Sequence, residues 1–157
     1  MTILRGGDYL LLAKLITKET IQLNVAAMSW EEAIKMGGDI LIRNRAVDSA
    51  YVNAMIKNTI ENGPYFVLVP GIAIPHARCD QGVKKLGMSL ITLNKPIDFF
   101  DSPNNPVKIV ICLAAEDNFT HLDILKELTG FLSNKEDIEA IINADFIDQA
   151  LEVFQRY

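Results

Sequence analysis

Groups able to do chemistry by themselves are scarce in this chain: histidine occurs twice and cysteine twice in 157 residues. Cys79 and Cys112 have no CxxC spacing, and one lies in a polar turn while the other lies in an apolar run. That pattern describes free thiols in a reducing compartment rather than a disulfide framework. Nothing around Cys79 marks it as a nucleophile. The sequence has no GxxxxGK[ST] loop, no GxGxxG after a strand and no GxSxG. Nucleotide-dependent kinase, dinucleotide and serine-hydrolase chemistry therefore have no support. His76 and His121, even with Asp80, Asp117 or Asp123, lack the spacing of a ligand cluster, so neither a metal nor a cofactor is expected. No apolar run reaches the roughly 18 residues of a membrane helix. The nearest, Tyr65 to Ala77, is broken by Pro70, Gly71, Pro75 and His76. The N-terminus lacks a basic region followed by an apolar core and a small-residue cleavage site. A soluble cytoplasmic protein without membrane insertion is expected. Positive charge is also in deficit, with a net charge of −5. This argues against nucleic acid as a partner, although Lys84 and Lys85 put a small basic patch near Arg78.

What is present suits one domain over residues 1–157, since half of the residues (50%) are hydrophobic and can form a sizeable core. Asp8 to Lys18, within an N-terminal segment 1–20, reads as a short helix. Ile21 to Val25 alternates as a strand would. Ser29 with Glu32 forms a capping box that opens a helix whose stripe is Trp30, Ala33, Ile34, Ile40 and Leu41, with Gly37-Gly38 interrupting it. Asp48 caps a second helix with Tyr51, Val52, Met55, Ile56 and Ile60 on one face, and Gly63-Pro64 stops it. Tyr65 to Val69 and Ile72 to Ile74 read as one strand broken at Pro70-Gly71. Met88 to Leu93 and Val107 to Ala114 are further strands, apolar enough to be covered on both faces. Thr120 to Leu132 is an amphipathic helix, and Lys135 to Ile142 and Asp145 to Gln155 are two more. The fold class is α/β: a mixed, mostly parallel sheet with helices on both faces. Ligands of such sheets sit beyond strand ends.

Both histidines fall at such places. In GIAIPHARCDQG, Gly71 to Gly82, Pro75 fixes its own φ and biases Ile74 toward extended backbone, so His76 ends a strand with little freedom. A neutral imidazole is a competent nucleophile near neutral pH. Arg78 adds a cation two residues on, as phosphoryl transfer requires. On residue chemistry alone, His76 is either a phosphoryl-carrying nucleophile or a histidine that merely caps a strand. His121 shares a helix face with Ile124, Leu125 and Leu128, in the first turn. It is either a satisfied core histidine or a neutral donor aimed at a phosphoryl oxygen, at His76 or at a carboxylate.

The segments GPYFVLVPGIAIPHAR (Gly63 to Arg78), GVKKLGMSLITL (Gly82 to Leu93) and PVKIVICLAAEDNFTHLDILKELTGFL (Pro106 to Leu132) resemble the IIA components of the bacterial sugar phosphotransferase system. Within the fructose/mannitol-type superfamily, the GPYFV and PHAR context is most similar to the ascorbate-specific branch. The resemblance runs from about Ser29 to the C-terminus. It implies a five-stranded mixed sheet flanked by helices and a phosphohistidine relay, with His76 as phosphoryl acceptor and His121 as the second active-site histidine. It implies the phosphocarrier HPr as donor and a IIB component as acceptor. The membrane IIC component, through which the sugar enters, would be an indirect partner. One departure stands out. Mannitol-type members carry an arginine in the helix before the phosphohistidine strand, and MIKNTIENGPY (Met55 to Tyr65) has none. Lys57 and Arg78 are the alternative cations. A phosphocarrier of sugar uptake is the leading function. The runner-up is a regulatory IIA-like module whose phosphorylation controls another protein.

Overall fold

A computed structural model of the chain describes residues 11–157. Its helices are α1 (Leu11–Leu15), α2 (Trp30–Arg43), α3 (Ser49–Asn62), α4 (Asn118–Leu132), α5 (Lys135–Ile142) and α6 (Ile147–Phe154). Its strands are β1 (Ile21–Val25), β2 (Ile72–Ala73), β3 (Gly87–Ile97) and β4 (Val107–Ala114), and a 3₁₀ turn spans Cys79–Gln81. The predicted N-terminal helix is found over Leu11–Leu15, ending three residues before Lys18, and Asp8 to Leu10 lie outside the described residues.

The four strands form one sheet in the order β1-β3-β4-β2. β1 runs parallel to β3 and β2 parallel to β4, while β3 and β4 are antiparallel. The sheet is therefore mixed and mostly parallel, but it has four strands among the described residues, not five. The resemblance alone implies a fifth strand; the residues themselves indicate four, and those four are found, with Tyr65 to Val69 dropping out of the second. Pro64 opens a turn there, with the Val67 N–H donating to the Pro64 carbonyl at 3.1 Å. Phe66 and Val67 plug the core from this turn, while Tyr65 and Leu68 stay about half exposed. An apolar run without alternation can fill a core as a loop as readily as a strand. Pro70 and Pro75, which donate no hydrogen bond, bracket the short β2 and leave it at the sheet edge.

Side chains of β4 alternate between two cores with the period of two that a pleated strand imposes. Val110, Cys112 and Ala114 join α2 and α3 on one face, and Ile109, Ile111 and Leu113 join α1, α4, α5 and α6 on the other. Helix α2 runs unbroken through Gly37 and Gly38, which interrupt its apolar stripe but are themselves buried. A Cβ on Gly37 would stand 2.6 Å from Cys112 Sγ, and one on Gly38 2.6 Å from Val52 Cγ2. The two glycines are the places where α2 approaches the sheet and α3. Ser29 caps α2, its Oγ accepting from the Glu32 N–H at 3.2 Å, and Glu32 reaches back to the Met28 N–H at 3.2 Å. Asp48 caps α3 through the Tyr51 N–H at 3.3 Å. Along α3, Ile60 is 62% exposed and Thr59 is buried in its place. At about 100° per residue, position 60 falls on the side opposite Tyr51.

Candidate functional site

The carboxyl ends of the parallel pair β2 and β4 lie side by side, and each leads into one of the two histidines. From β2 the chain runs through Ile74 and Pro75, both buried, to His76. The Leu113 N–H of β4 donates to the Pro75 carbonyl at 3.1 Å, which extends the pairing beyond β2 proper. From β4 the chain passes Ala115 and Glu116 to Asp117. The Asp117 carboxylate caps α4 by accepting from the Thr120 N–H at 2.7 Å. That bond holds the Asp117 carboxyl below its usual range. Helix α4 starts at Asn118, two residues earlier than its apolar pattern indicated. The His121 N–H consequently makes the first full helical bond, to the Asp117 carbonyl at 3.1 Å. The ring sits above Ile124 and Leu128, which face the core.

The two imidazoles meet with ring centroids 4.9 Å apart and planes inclined by 50°. Tyr65 closes one side of His76 edge-on, at 5.7 Å between centroids. The Nδ1 of His76 lies 2.9 Å from the carbonyl oxygen of Ile74. A carbonyl only accepts, so Nδ1 carries the hydrogen, and in the neutral ring the lone pair lies on Nε2. Partial burial, and then the neighbouring His76, push the His121 pKa below its ordinary 6.5. A neutral His121 keeps one N–H to donate. The pair thus offers one nucleophilic nitrogen and one neutral donor in contact range.

The rings open into a cleft of about 220 Å³ lined also by Asn58, Arg78, Cys79, Asp117 and Asn118. Of the two candidate cations, Arg78 reaches this cleft and Lys57 does not. Lys57 lies in the adjoining depression and pairs with Glu61 at 3.9 Å. The Arg78 guanidinium is exposed and already meets Asp80, Nε to Oδ1 at 3.2 Å and Nη2 to Oδ2 at 3.3 Å. Such exposed pairs are weakly held. Asn58 was not singled out by its chemistry, but its spacing carried the signal: Tyr51, Met55 and Asn58 stand at i, i+4 and i+7, on the face of α3 that turns inward. Lys84 and Lys85 are exposed and do not line the cleft. Cys79 lines it half-buried, whereas Cys112 is fully buried and its thiol pKa is pushed up to about 12 by desolvation. Among the described residues no cluster of three or more potential metal ligands occurs, and no helix is long and apolar enough to cross a membrane.

The family model described as "Phosphoenolpyruvate-dependent sugar phosphotransferase system, EIIA 2" matches residues 14–157. An ascorbate-specific PTS system EIIA component of Escherichia coli (strain K12) is 35% identical over 143 residues, which is 90% of this chain and 93% of the relative. The solution structure of the mannitol-specific cryptic phosphotransferase enzyme IIA CmtB from Escherichia coli superimposes with a TM-score of 0.85 at 32% identity, covering 93% of this chain and 99% of that one. The mannitol enzyme IIA of Escherichia coli, solved in complex with phosphorylated enzyme IIB, gives a TM-score of 0.79 at 27% identity over 89% of this chain and 98% of that one.

Proposed function

Because the chain belongs to the EIIA 2 family of the phosphoenolpyruvate-dependent sugar phosphotransferase system, we propose that it is a phosphohistidine carrier that takes its phosphoryl group on His76. The observation that carries this reading is the hydrogen bond from Nδ1 of His76 to the Ile74 carbonyl, which leaves the Nε2 lone pair free beside His121. Nε2 attacks the phosphorus of a phosphohistidine on the donor, the phosphocarrier HPr. An Nε2–P bond forms as the donor's N–P bond breaks, and the donor imidazole leaves with the electron pair. The positive charge that develops on the His76 ring is shared with the Ile74 carbonyl through Nδ1–H. Neutral His121 donates to a phosphoryl oxygen, and Arg78, swinging from Asp80, supplies charge at the rim. Onward transfer to a IIB component reverses the same events, and a membrane IIC component receives the phosphoryl group's benefit only indirectly, through sugar import.

The solved complex of the mannitol enzyme IIA with phosphorylated IIB supports a IIB partner for this chain. Exposed apolar side chains at the start of α4, Phe119 (83%) and Leu122 (58%), flank the cleft and suit a transient interface of mixed polarity. The sugar proposed is ascorbate, on the strength of the relatives that are 35% identical. Incubation with phosphorylated HPr and then with the IIB component of an ascorbate system or of a mannitol system tests both parts. Transfer onward to the ascorbate IIB alone is expected. Phosphorylation without transfer to either IIB would instead favour a regulatory module.

A further inference from the structure

We infer that Tyr51 is a positioning residue that sets the distance between the two histidines. The ring lies at the start of α3 and is 1% exposed. Its Oη donates to the Leu113 carbonyl at 2.5 Å and accepts from the Ala77 N–H at 3.0 Å. Ala77 is the residue after His76, and Leu113 is the penultimate residue of β4, whose continuation carries His121. One hydroxyl therefore ties the loop bearing the first histidine to the strand that leads to the second.

The clamp is two-sided. Leu113 uses its N–H on the Pro75 carbonyl, just before His76, and its carbonyl on Tyr51, which in turn holds the N–H just after His76. His76 is thus fixed between two bonded neighbours, with its ring set by Ile74. The Ala77 carbonyl lies 3.3 Å from Oη as well. A hydroxyl has one hydrogen, and the shorter contact takes it. Burial pushes the phenol pKa well above its ordinary value, so the hydroxyl stays protonated and keeps both roles at any physiological pH. A phenylalanine fills the same space but can bridge neither group. Both backbone groups would then be free to part by a fraction of an ångström, a displacement to which phosphoryl transfer is sensitive. Tyr51 touches neither phosphate nor partner. Its action runs through the backbone on either side of His76.

The inference rests on the proposed carrier role for its catalytic consequence, but its structural part can be read without any phosphate. The experiment compares wild type with Tyr51→Phe, using Phe154→Leu on distant α6 as a control for a general loss of core packing. Imidazole ¹⁵N shifts report the tautomer of His76, and rapid quench reports transfer from phosphorylated HPr. In Tyr51→Phe the population with the hydrogen on Nδ1 is expected to fall. The maximal transfer rate is expected to drop about tenfold with little change in the half-saturating HPr concentration. In Phe154→Leu both should match wild type. Unchanged His76 shifts in Tyr51→Phe would overturn the inference, as would an equal loss in both variants. Absence of phosphorylation in wild type would instead sink the carrier role and leave the tautomer result standing. Should Tyr51→Phe not fold, amide exchange in wild type decides: Ala77 is expected to be protected like Leu113, and exchange as fast as that of Arg78 would overturn the bridge.

Discussion

His76 and His121 face each other at 4.9 Å between ring centroids, although they reach that point from different strands and from different kinds of local structure. One ring ends an edge strand and is oriented by a carbonyl two residues back. The other rides on the first full turn of a capped helix. The roles proposed for them rest on these supports. A ring with its Nδ1–H committed exposes a nucleophile, and a ring held neutral by burial exposes a donor.

Substitution at His121 should separate donation from acceptance. A glutamine keeps an N–H near the same place and an alanine does not. Transfer from phosphorylated HPr, followed by rapid quench, is expected to slow in the order wild type, His121→Gln, His121→Ala, with the alanine variant down roughly 10²-fold. Equal rates for wild type and alanine would return His121 to the role of a core histidine.

The pH dependence has a definite sign. The folded pKa of His121 lies below its ordinary 6.5, so the unfolded chain takes up the proton first as pH falls. The stability that this residue contributes is complete above about 6.5 and is lost as pH falls toward the folded pKa. Phosphorylation replaces a neighbouring imidazole with a dianion and should move the His121 pKa upward. Histidine Cε1–H signals followed from pH 8 to 5, with and without phosphate, measure both values. A downward shift on phosphorylation would contradict the proposed contact.

Much of this domain was legible in the chain, for reasons that can be named. The caps Ser29 and Asp48 and the apolar β4 declared themselves because each is a local pattern. The turn at Tyr65 to Val69 did not, since Phe66 and Val67 are buried whether the backbone pairs or turns. Both histidines were visible as strand-end residues. Which cation enters the cleft was left open, although the spacing of Tyr51, Met55 and Asn58 turns Asn58 inward and so sends its neighbour Lys57 outward through the rotation of α3. The Tyr51 bridge reaches Leu113, 62 residues further along the chain, and had no local signal at all.

That rotation yields a comparison of neighbours. Asn58→Asp would set a carboxylate against the incoming phosphoryl group, and transfer should slow about tenfold or more, most strongly at low salt. Lys57→Ala should stay within about twofold of wild type, since that ammonium pairs with Glu61 outside the cleft. Similar losses in both would mean that Asn58 does not face the phosphate.

The thiols should differ as sharply. A maleimide is expected to label Cys79 and to spare Cys112, which is fully buried with its pKa raised. Because Cys79 lines the cleft, labelling should abolish phosphate uptake, and Cys79→Ser should resist the reagent with its transfer rate preserved. Full activity in the labelled protein would remove Cys79 from the wall of the site.

The claim on which the rest depends is that His76 carries the phosphoryl group. The chain is charged with phosphorylated HPr, digested at alkaline pH to preserve the acid-labile bond, and mapped by tandem mass spectrometry, with His76→Ala and His121→Ala in parallel. If His76 carries the group, one phosphate is found on the peptide containing His76 in wild type and in His121→Ala, and none anywhere in His76→Ala. Phosphate on His121, or retained in His76→Ala, would contradict it.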